Sequence, residues 1–173
     1  MGIILRRYGE LPADACRIGW GNYVNGDTTP ITLPAGVPTK LTLTTAGGSE
    51  EETYLPLGVS GLWDSTNSQL DFSTLAVGDM VDIRLDGSLT TTTLNDSFAV
   101  SLTAGLGSPS EFTLPFASGN RFIAGTSIVS RYNSLFIGSE DIKNNPAEFL
   151  GIATDEATGF LVDIYIKVLK RFG

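Results

Sequence analysis

The sequence predicts an all-β fold, an antiparallel two-sheet sandwich or jelly roll. Three observations lead there. Segments between turns alternate apolar and polar residues with a period of two, as strands with one buried face do. These segments are short and are separated by clusters of Gly, Pro, Asn and Asp. No long stretch repeats its apolar residues at the 3.6-residue spacing of an amphipathic helix. A length of 173 residues with 42% hydrophobic residues is enough for one domain with a sizeable core.

Residues 1–14 read as an N-terminal arm, because Gly9, Pro12 and Asp14 interrupt any regular element, and residues 15–173 read as the domain. A first strand is expected over residues 15–24, ending at the turn Asn25-Gly26-Asp27. Extended pieces follow at 31–33 and 39–45, the second setting Leu41 and Leu43 against Lys40, Thr42 and Thr44. The run Gly47-Gly48-Ser49-Glu50-Glu51-Glu52 reads as a solvated tip whose like charges repel, and residues 54–59 as renewed extension. Ser65-Thr66-Asn67-Ser68 has hairpin character between Leu62-Trp63-Asp64 and residues 69–72.

After the turn at Gly78-Asp79 a long strand sets Val81, Ile83 and Leu85 against Asp82, Arg84 and Asp86. Thr90-Thr91-Thr92-Thr93 extends it, since β-branched side chains fit a pleated surface. Asn95-Asp96 turns the chain into a strand carrying Phe98, Val100 and Leu102. Phe112, Leu114 and Phe116 alternate in the next one, where Pro115 calls for an edge position. The one helix start is placed at Asn144-Asn145-Pro146, with Asn as cap and Pro in the first position, and Gly151 would stop it.

Two strands carry apolar residues on both faces. Over residues 126–137 one face has Ile128, Tyr132 and Phe136, and the other has Val129, Leu135 and Ile137. The closing strand, residues 160–172, sets Val162, Ile164, Ile166 and Val168 against Leu161, Tyr165 and Leu169. A sandwich buries one face per strand, so the second face meets either another subunit or a loop of the same chain. The candidate interface residues are Val129, Tyr132, Leu135, Ile137, Leu161, Tyr165 and Leu169. Low charge, 17% of residues, agrees with part of the exterior being covered.

Composition removes several functions. Nineteen acidic against 11 basic residues give a formal charge of -8, which disfavours nucleic acid and anionic lipid as partners. No stretch approaches the roughly 20 apolar residues of a membrane helix. The opening run puts Arg6 and Arg7 after its apolar residues, the reverse of a secretory signal, so synthesis in a cytoplasm without an export tag is expected. The single Cys16 allows no intrachain disulfide and reads as a small buried residue.

Catalytic chemistry has little to work with. The sequence holds no His, which rules out Ser-His-Asp and Cys-His arrangements and any zinc site with a His ligand. Asp64 with Asp71, or Asp79 with Asp82, offers paired carboxylates of the kind glycosidases use, but surface solvation explains them better. The stretch from Asp64 to Asp71 is oxygen-rich yet lacks the central Gly and distal Glu of a calcium loop. No catalytic residue, metal ligand or cofactor is expected, and the chain reads as a non-enzyme. Trp20 and Trp63 remain candidates for stacking on a sugar ring.

A resemblance adds to this reading. Leu62-Trp63-Asp64, Leu70-Asp71-Phe72, the run from Val77-Gly78-Asp79 to Arg84-Leu85, Asn145-Pro146-Ala147-Glu148 and the closing hydrophobic strand resemble tailed-bacteriophage virion proteins with a TNF- or C1q-like jelly roll. The resemblance spans about residues 60–170. It implies compact homotrimers, with the final strands and an early strand packed around a threefold axis. It also implies a virion location, either as a capsid decoration (cement) protein bound to the major capsid protein or as a tail-fibre tip or receptor-binding module. The absence of a shaft before the jelly roll favours decoration. A carbohydrate-binding module is the third reading. In the decoration reading the arm contributes Ile3, Ile4, Leu5, Arg6, Arg7 and Tyr8 to the capsid contact. Deletion of residues 1–14 is therefore expected to abolish capsid attachment in a cosedimentation assay while leaving the circular dichroism spectrum of the domain unchanged.

Overall fold

The structure, a computed structural model, describes residues 17–171. The candidate arm residues Ile3, Ile4, Leu5, Arg6, Arg7 and Tyr8, and Cys16, lie outside the described residues. Twelve strands and one short helix follow in order: β1 (Ile18–Val24), β2 (Ile31–Leu33), β3 (Thr39–Lys40), β4 (Ser49–Glu51), β5 (Trp63–Asp64), β6 (Gln69–Leu70), β7 (Met80–Thr91), β8 (Asp96–Ala104), β9 (Phe112–Arg121), β10 (Gly125–Phe136), α1 (Glu140–Asn144), β11 (Glu148–Ala153) and β12 (Ala157–Leu169).

One sheet has the order β10-β7-β12-β1-β4, with β2 also paired to β12, and the second has the order β3-β11-β8-β9. All the ladders between named strands are antiparallel. The chain passes from β7 in the first sheet to the β8–β9 hairpin in the second, returns to β10, crosses to β11 and closes with β12 beside β7. Winding of this kind, with each crossing returning beside an earlier strand, is the jelly roll, the fold class expected from the alternating pattern.

The core lies between the sheets. Val81, Ile83, Leu85 and Leu89 of β7 and Ile164, Ile166 and Val168 of β12 form its floor, facing Val100, Leu102 and Phe149 of the second sheet. Every one of these is a period-two position of its strand, so the alternation in the sequence is the inside–outside alternation of the fold. Leu41 and Leu43 are buried as their pattern requires, although only Thr39–Lys40 is paired as strand. Pro115 sits on β9, the outermost strand of its sheet, where its missing N–H breaks no central ladder.

Three local expectations are corrected. The helix precedes Asn145-Pro146 instead of starting there. Ser139 caps it by accepting from Ile142 N at 3.3 Å, and Asn145 is extended (φ -114, ψ 139), as a residue before proline prefers to be. The Glu-rich run is not merely a tip, since Ser49–Glu51 pairs with β1, and the Glu52 carboxylate accepts from Tyr23 Oη, Gly61 N and Leu62 N. Residues 54–59 form turns, closed by Leu55 N to Glu52 O and Val59 N to Pro56 O, instead of a strand.

The fourth correction decides which residues face outward. Pairing of β12 with β7 slips by one residue between Leu161 and Asp163, so Val162 is an extra residue, a β-bulge. One inserted residue inverts the facing of everything on one side of it. Leu161 consequently turns into the core with Ile164, and Val162, expected on the core face, is exposed. Asn25 holds the bulge, donating from its backbone N to Val162 O at 2.9 Å and from Nδ2 to Leu161 O at 2.8 Å. Gly87 lies opposite. A Cβ there would stand 2.5 Å from Phe160 O, so a side chain would force the strands apart.

This facing makes a sharp prediction. Leu161→Ala should cost about 2–5 kcal/mol of unfolding free energy as a buried cavity mutation, whereas Val162→Ala should stay within about 1 kcal/mol. Urea denaturation of the two variants measures the difference, and equal costs would contradict the bulge.

Candidate functional site

Among the described residues the first sheet leaves its second face uncovered, and strand register arranges that face in cross-strand rows. Phe136, Met80, Leu169 and Ile18 form an apolar row at one end. Next come Ser134, Asp82, Lys167 and Trp20, then Tyr132, Arg84, Tyr165 and Asn22, then Ser130, Asp86, Asp163 and Val24. Beyond the bulge Ile128, Ser88 and Phe160 make a second partly apolar row, followed by Thr126, Thr90, Thr158 and Thr32. The face is therefore apolar near both ends and charged in the middle. Its apolar members are far from hidden: Ile128 is 86% exposed, Phe136 59% and Ile18 57%.

The central charges largely neutralise one another. Arg84 Nη2 donates to Asp163 Oδ1 at 3.3 Å, and Arg84 Nε lies 2.8 Å from Asp86 Oδ2, an ion pair in which the N–H is not well aimed at the oxygen. Lys167 Nζ stands 4.0 Å from Asp82 Oδ2, which leaves Asp82 Oδ1 to accept from Ser134 Oγ at 2.6 Å. The Arg84 guanidinium also lies 5.3 Å above the Tyr165 ring. Tyr165 stacks with Trp20 at 5.6 Å between centroids, and Trp20 with Tyr54 at 4.7 Å. Cation and rings make one continuous ladder across three strands and a loop.

Asp86 and Asp163 face each other directly in the β7–β12 register. Burial, together with the charge of Asp86, raises the Asp163 pKa even though Arg84 pulls it down. Burial works against the charge on Arg84, but Asp163 and Asp86 outweigh it and hold the guanidinium pKa above its ordinary value. Burial and the Asp82 carboxylate likewise push the Tyr132 phenol upward.

The candidate interface residues divide between the two faces. Tyr132, Tyr165 and Leu169 lie on the uncovered face. Val129, Leu135, Ile137 and Leu161 are buried in the protomer's own core and do not reach it. Strict parity along β10 separates Val129, Leu135 and Ile137 from Tyr132, and the bulge removes Leu161. The face also gains Ile18, Ile128, Phe136 and Val162. Ile128 and Phe136 share the parity of Tyr132, so the sequence carried the signal that groups them. Nothing local announces Val162.

Other candidates fall to structural roles. Trp63 is buried and donates from Nε1 to Leu43 O at 3.2 Å, so it offers no ring to a sugar. Trp20 is stacked on both sides. Asp64 accepts from Thr66 N, Asn67 N and Asn67 Nδ2 within its own turn, and the Asn67 bonds lower its pKa. Asp79 is buried and accepts from Ala76 N and Arg171 N, tying the end of β12 to the start of β7. Among the described residues no group of three His, Cys, Asp or Glu is arranged to hold a metal, and no helix is long and apolar enough to cross a membrane.

No protein-family model matches the chain, and no curated protein matches it. Solved structures do. Eiger TNF from S. frugiperda aligns over 90% of this chain and 94% of its own at 10% identity and a TM-score of 0.49. The PRD1 vertex protein P5 aligns over 89% and 96% at 12% identity and a TM-score of 0.40. The empty top component of cowpea mosaic virus aligns over 90% and 82% at 9% identity and a TM-score of 0.33. Similarity this distant carries no argument of its own, and the jelly-roll assignment rests on the strand order.

The carboxylate pair yields a pH prediction. A raised folded pKa means that Asp163 contributes most to stability when protonated, below the ordinary carboxylate value of 3.8, and that this contribution is lost as pH rises through the folded pKa. Asp163→Asn mimics the protonated form. It is expected to melt no lower than the wild type at pH 7, and its advantage should shrink as pH falls below the folded value. A loss of more than about 1 kcal/mol at pH 7, roughly 2–4 °C in Tm for a domain of this size, would contradict the assignment.

Proposed function

We propose that this chain is a virion structural protein of a tailed bacteriophage, a homotrimeric capsid decoration protein that binds the major capsid protein on the outer shell and stabilises it. The observation that carries the reading is the uncovered face of the first sheet. Phe136 and Ile128 stand open to solvent on either side of a self-neutralised charged band, with half-buried Met80 and Leu169 in the row of the one and half-buried Phe160 in the row of the other. A single soluble copy has no use for such a face. A second copy laid against it buries the apolar rows, and the internal pairing of Arg84 with Asp86 and Asp163 lowers the cost of removing those charges from water. The sequence resemblance to phage virion jelly rolls supplies the trimer and the capsid, and the jelly-roll topology agrees with it.

A fibre-tip role shares the fold and the trimer. Cofractionation separates the two: a decoration protein copurifies with heads, a fibre tip with tails.

Sedimentation velocity of the purified chain at micromolar concentration is expected to give a trimer. The double variant Ile128→Ser, Phe136→Ser should shift the distribution toward monomer, with the unfolding midpoint of the dissociated protein still cooperative. A wild type that remains monomeric would overturn the assembly reading.

A further inference from the structure

At one end of the sandwich, away from the row of Phe136, Met80, Leu169 and Ile18, three connections converge. The loop between β7 and β8 starts at Thr91, which pairs with Gly125 of β10 and Ala157 of β12. It ends at Asp96, which pairs with Arg121 of β9. The β9–β10 crossover between the two sheets and the β11–β12 turn therefore emerge beside it. Loop tips are normally polar, yet these expose Phe122 at 77%, Ile123 at 72% and Leu94 at 64%. Single exposed apolar residues are common on soluble proteins, but three on adjoining loops make a patch.

The patch is held, not loose. Arg121 reaches across the β9–β10 connection to Ile123 O, Thr126 O and Ser127 Oγ at 3.4, 3.2 and 3.1 Å. Gly125 (φ +146) leaves room for that guanidinium, since a Cβ there would stand 2.8 Å from Arg121 Nη2. Buried Asp96 accepts from Thr154 N, Thr154 Oγ1 and Asp155 N through Oδ1, fixing the β11–β12 turn. Thr92 Oγ1 donates to Glu156 O and Thr93 Oγ1 to Asp155 Oδ2, fastening the β7–β8 loop to that turn. Side chains displayed on a braced framework lose little conformational freedom on docking.

Charge selects the partner. Beside the apolar tips stand the exposed acids Asp155 and Glu156, with Asp96 beneath, three carboxylates against the single cation of Arg121. The whole chain carries -8. An anionic membrane surface is disfavoured by that sign, whereas an apolar protein pocket edged with cations is complementary to it.

We infer that Leu94, Phe122 and Ile123 form a docking surface for an apolar pocket rimmed by Lys and Arg on the major shell protein. The inference rests on the capsid reading for the identity of the partner. It places the shell contact of the domain at this loop end, separate from the sheet face that joins the copies.

The test uses isolated shells lacking the protein, titrated with the full chain. Wild type is expected to bind. The triple variant Leu94→Ser, Phe122→Ser, Ile123→Ser should bind roughly a thousandfold more weakly, from about tenfold for each of the three apolar side chains, while still sedimenting as wild type does. The double variant Asp155→Asn, Glu156→Gln keeps the Thr93 acceptor and should lose severalfold, with a weaker dependence on salt. Phe122→Ser alone serves if the triple variant does not fold. A folded triple variant that binds shells within threefold of wild type overturns this inference and leaves the capsid reading standing. A wild-type trimer that does not bind shells at all overturns the capsid reading and this choice of partner together. Binding of wild type to phosphatidylcholine vesicles, lost in the triple variant, would make lipid the occupant and likewise overturn the inference.

Discussion

The ladder between β7 and β12, and the single extra residue within it, is the constraint on which the rest of the structure depends. These are the two long central strands of the first sheet, and they determine what the sandwich buries and what it shows. From Asp163 to Leu169 the register puts Ile164, Ile166 and Val168 inside and Tyr165 and Lys167 outside. Without the bulge the same phase would carry Val162 inward and Leu161 outward. With it, Leu161 fills the core and the outward face keeps a charged centre. Gly87 and Asn25, from two other strands or their ends, exist at this point to admit and saturate the irregularity. An unsatisfied pair of carbonyls in the middle of a sheet would otherwise cost more than the bulge returns.

The charged band on the outer face follows from the same geometry. Strand pairing sets Asp86 against Asp163, two like charges that repel, and Arg84 between them turns the arrangement into a local ion-pair network. The guanidinium is at once the counter-ion of both carboxylates and the cap of an aromatic stack that runs through Tyr165 and Trp20 to Tyr54. Such a band carries charges of both signs and satisfies most of them within the sheet itself. Apolar side chains lie in the rows above and below it.

The two ends of the molecule differ in how their loops are held. Just beyond β12, buried Asp79 accepts from Arg171 N and Ala76 N and so joins that segment to the start of β7. At the opposite end, Asp96 and Arg121 serve similar bracing roles, one for the β11–β12 turn and one for the β9–β10 crossover. Both use a charged side chain to satisfy backbone groups that no strand can reach, which is why the charges are few and specific. Where the tips carry Phe122, Ile123 and Leu94, that bracing keeps apolar side chains from folding back onto the sandwich.

The sequence by itself determined the all-β class, the position of most strands and the inward rows of β7 and β8, because a period of two is a property of single strands and needs no partner to be read. Val81, Ile83 and Leu85, or Val100 and Leu102, are core on that ground alone. It also excluded His-dependent chemistry outright. Tertiary structure decided what depends on two strands at once: the bulge that sends Leu161 inward, the pairing that turns Ser49–Glu51 into a strand, and the end of a helix before Asn145-Pro146. It also decided the rows of the outer face, since Arg84, Asp86 and Asp163 are neighbours only by register. Alternation within a strand is local and survives in the sequence, whereas register between strands far apart in the chain is fixed only when turns, glycines and side-chain caps from elsewhere close the sheet.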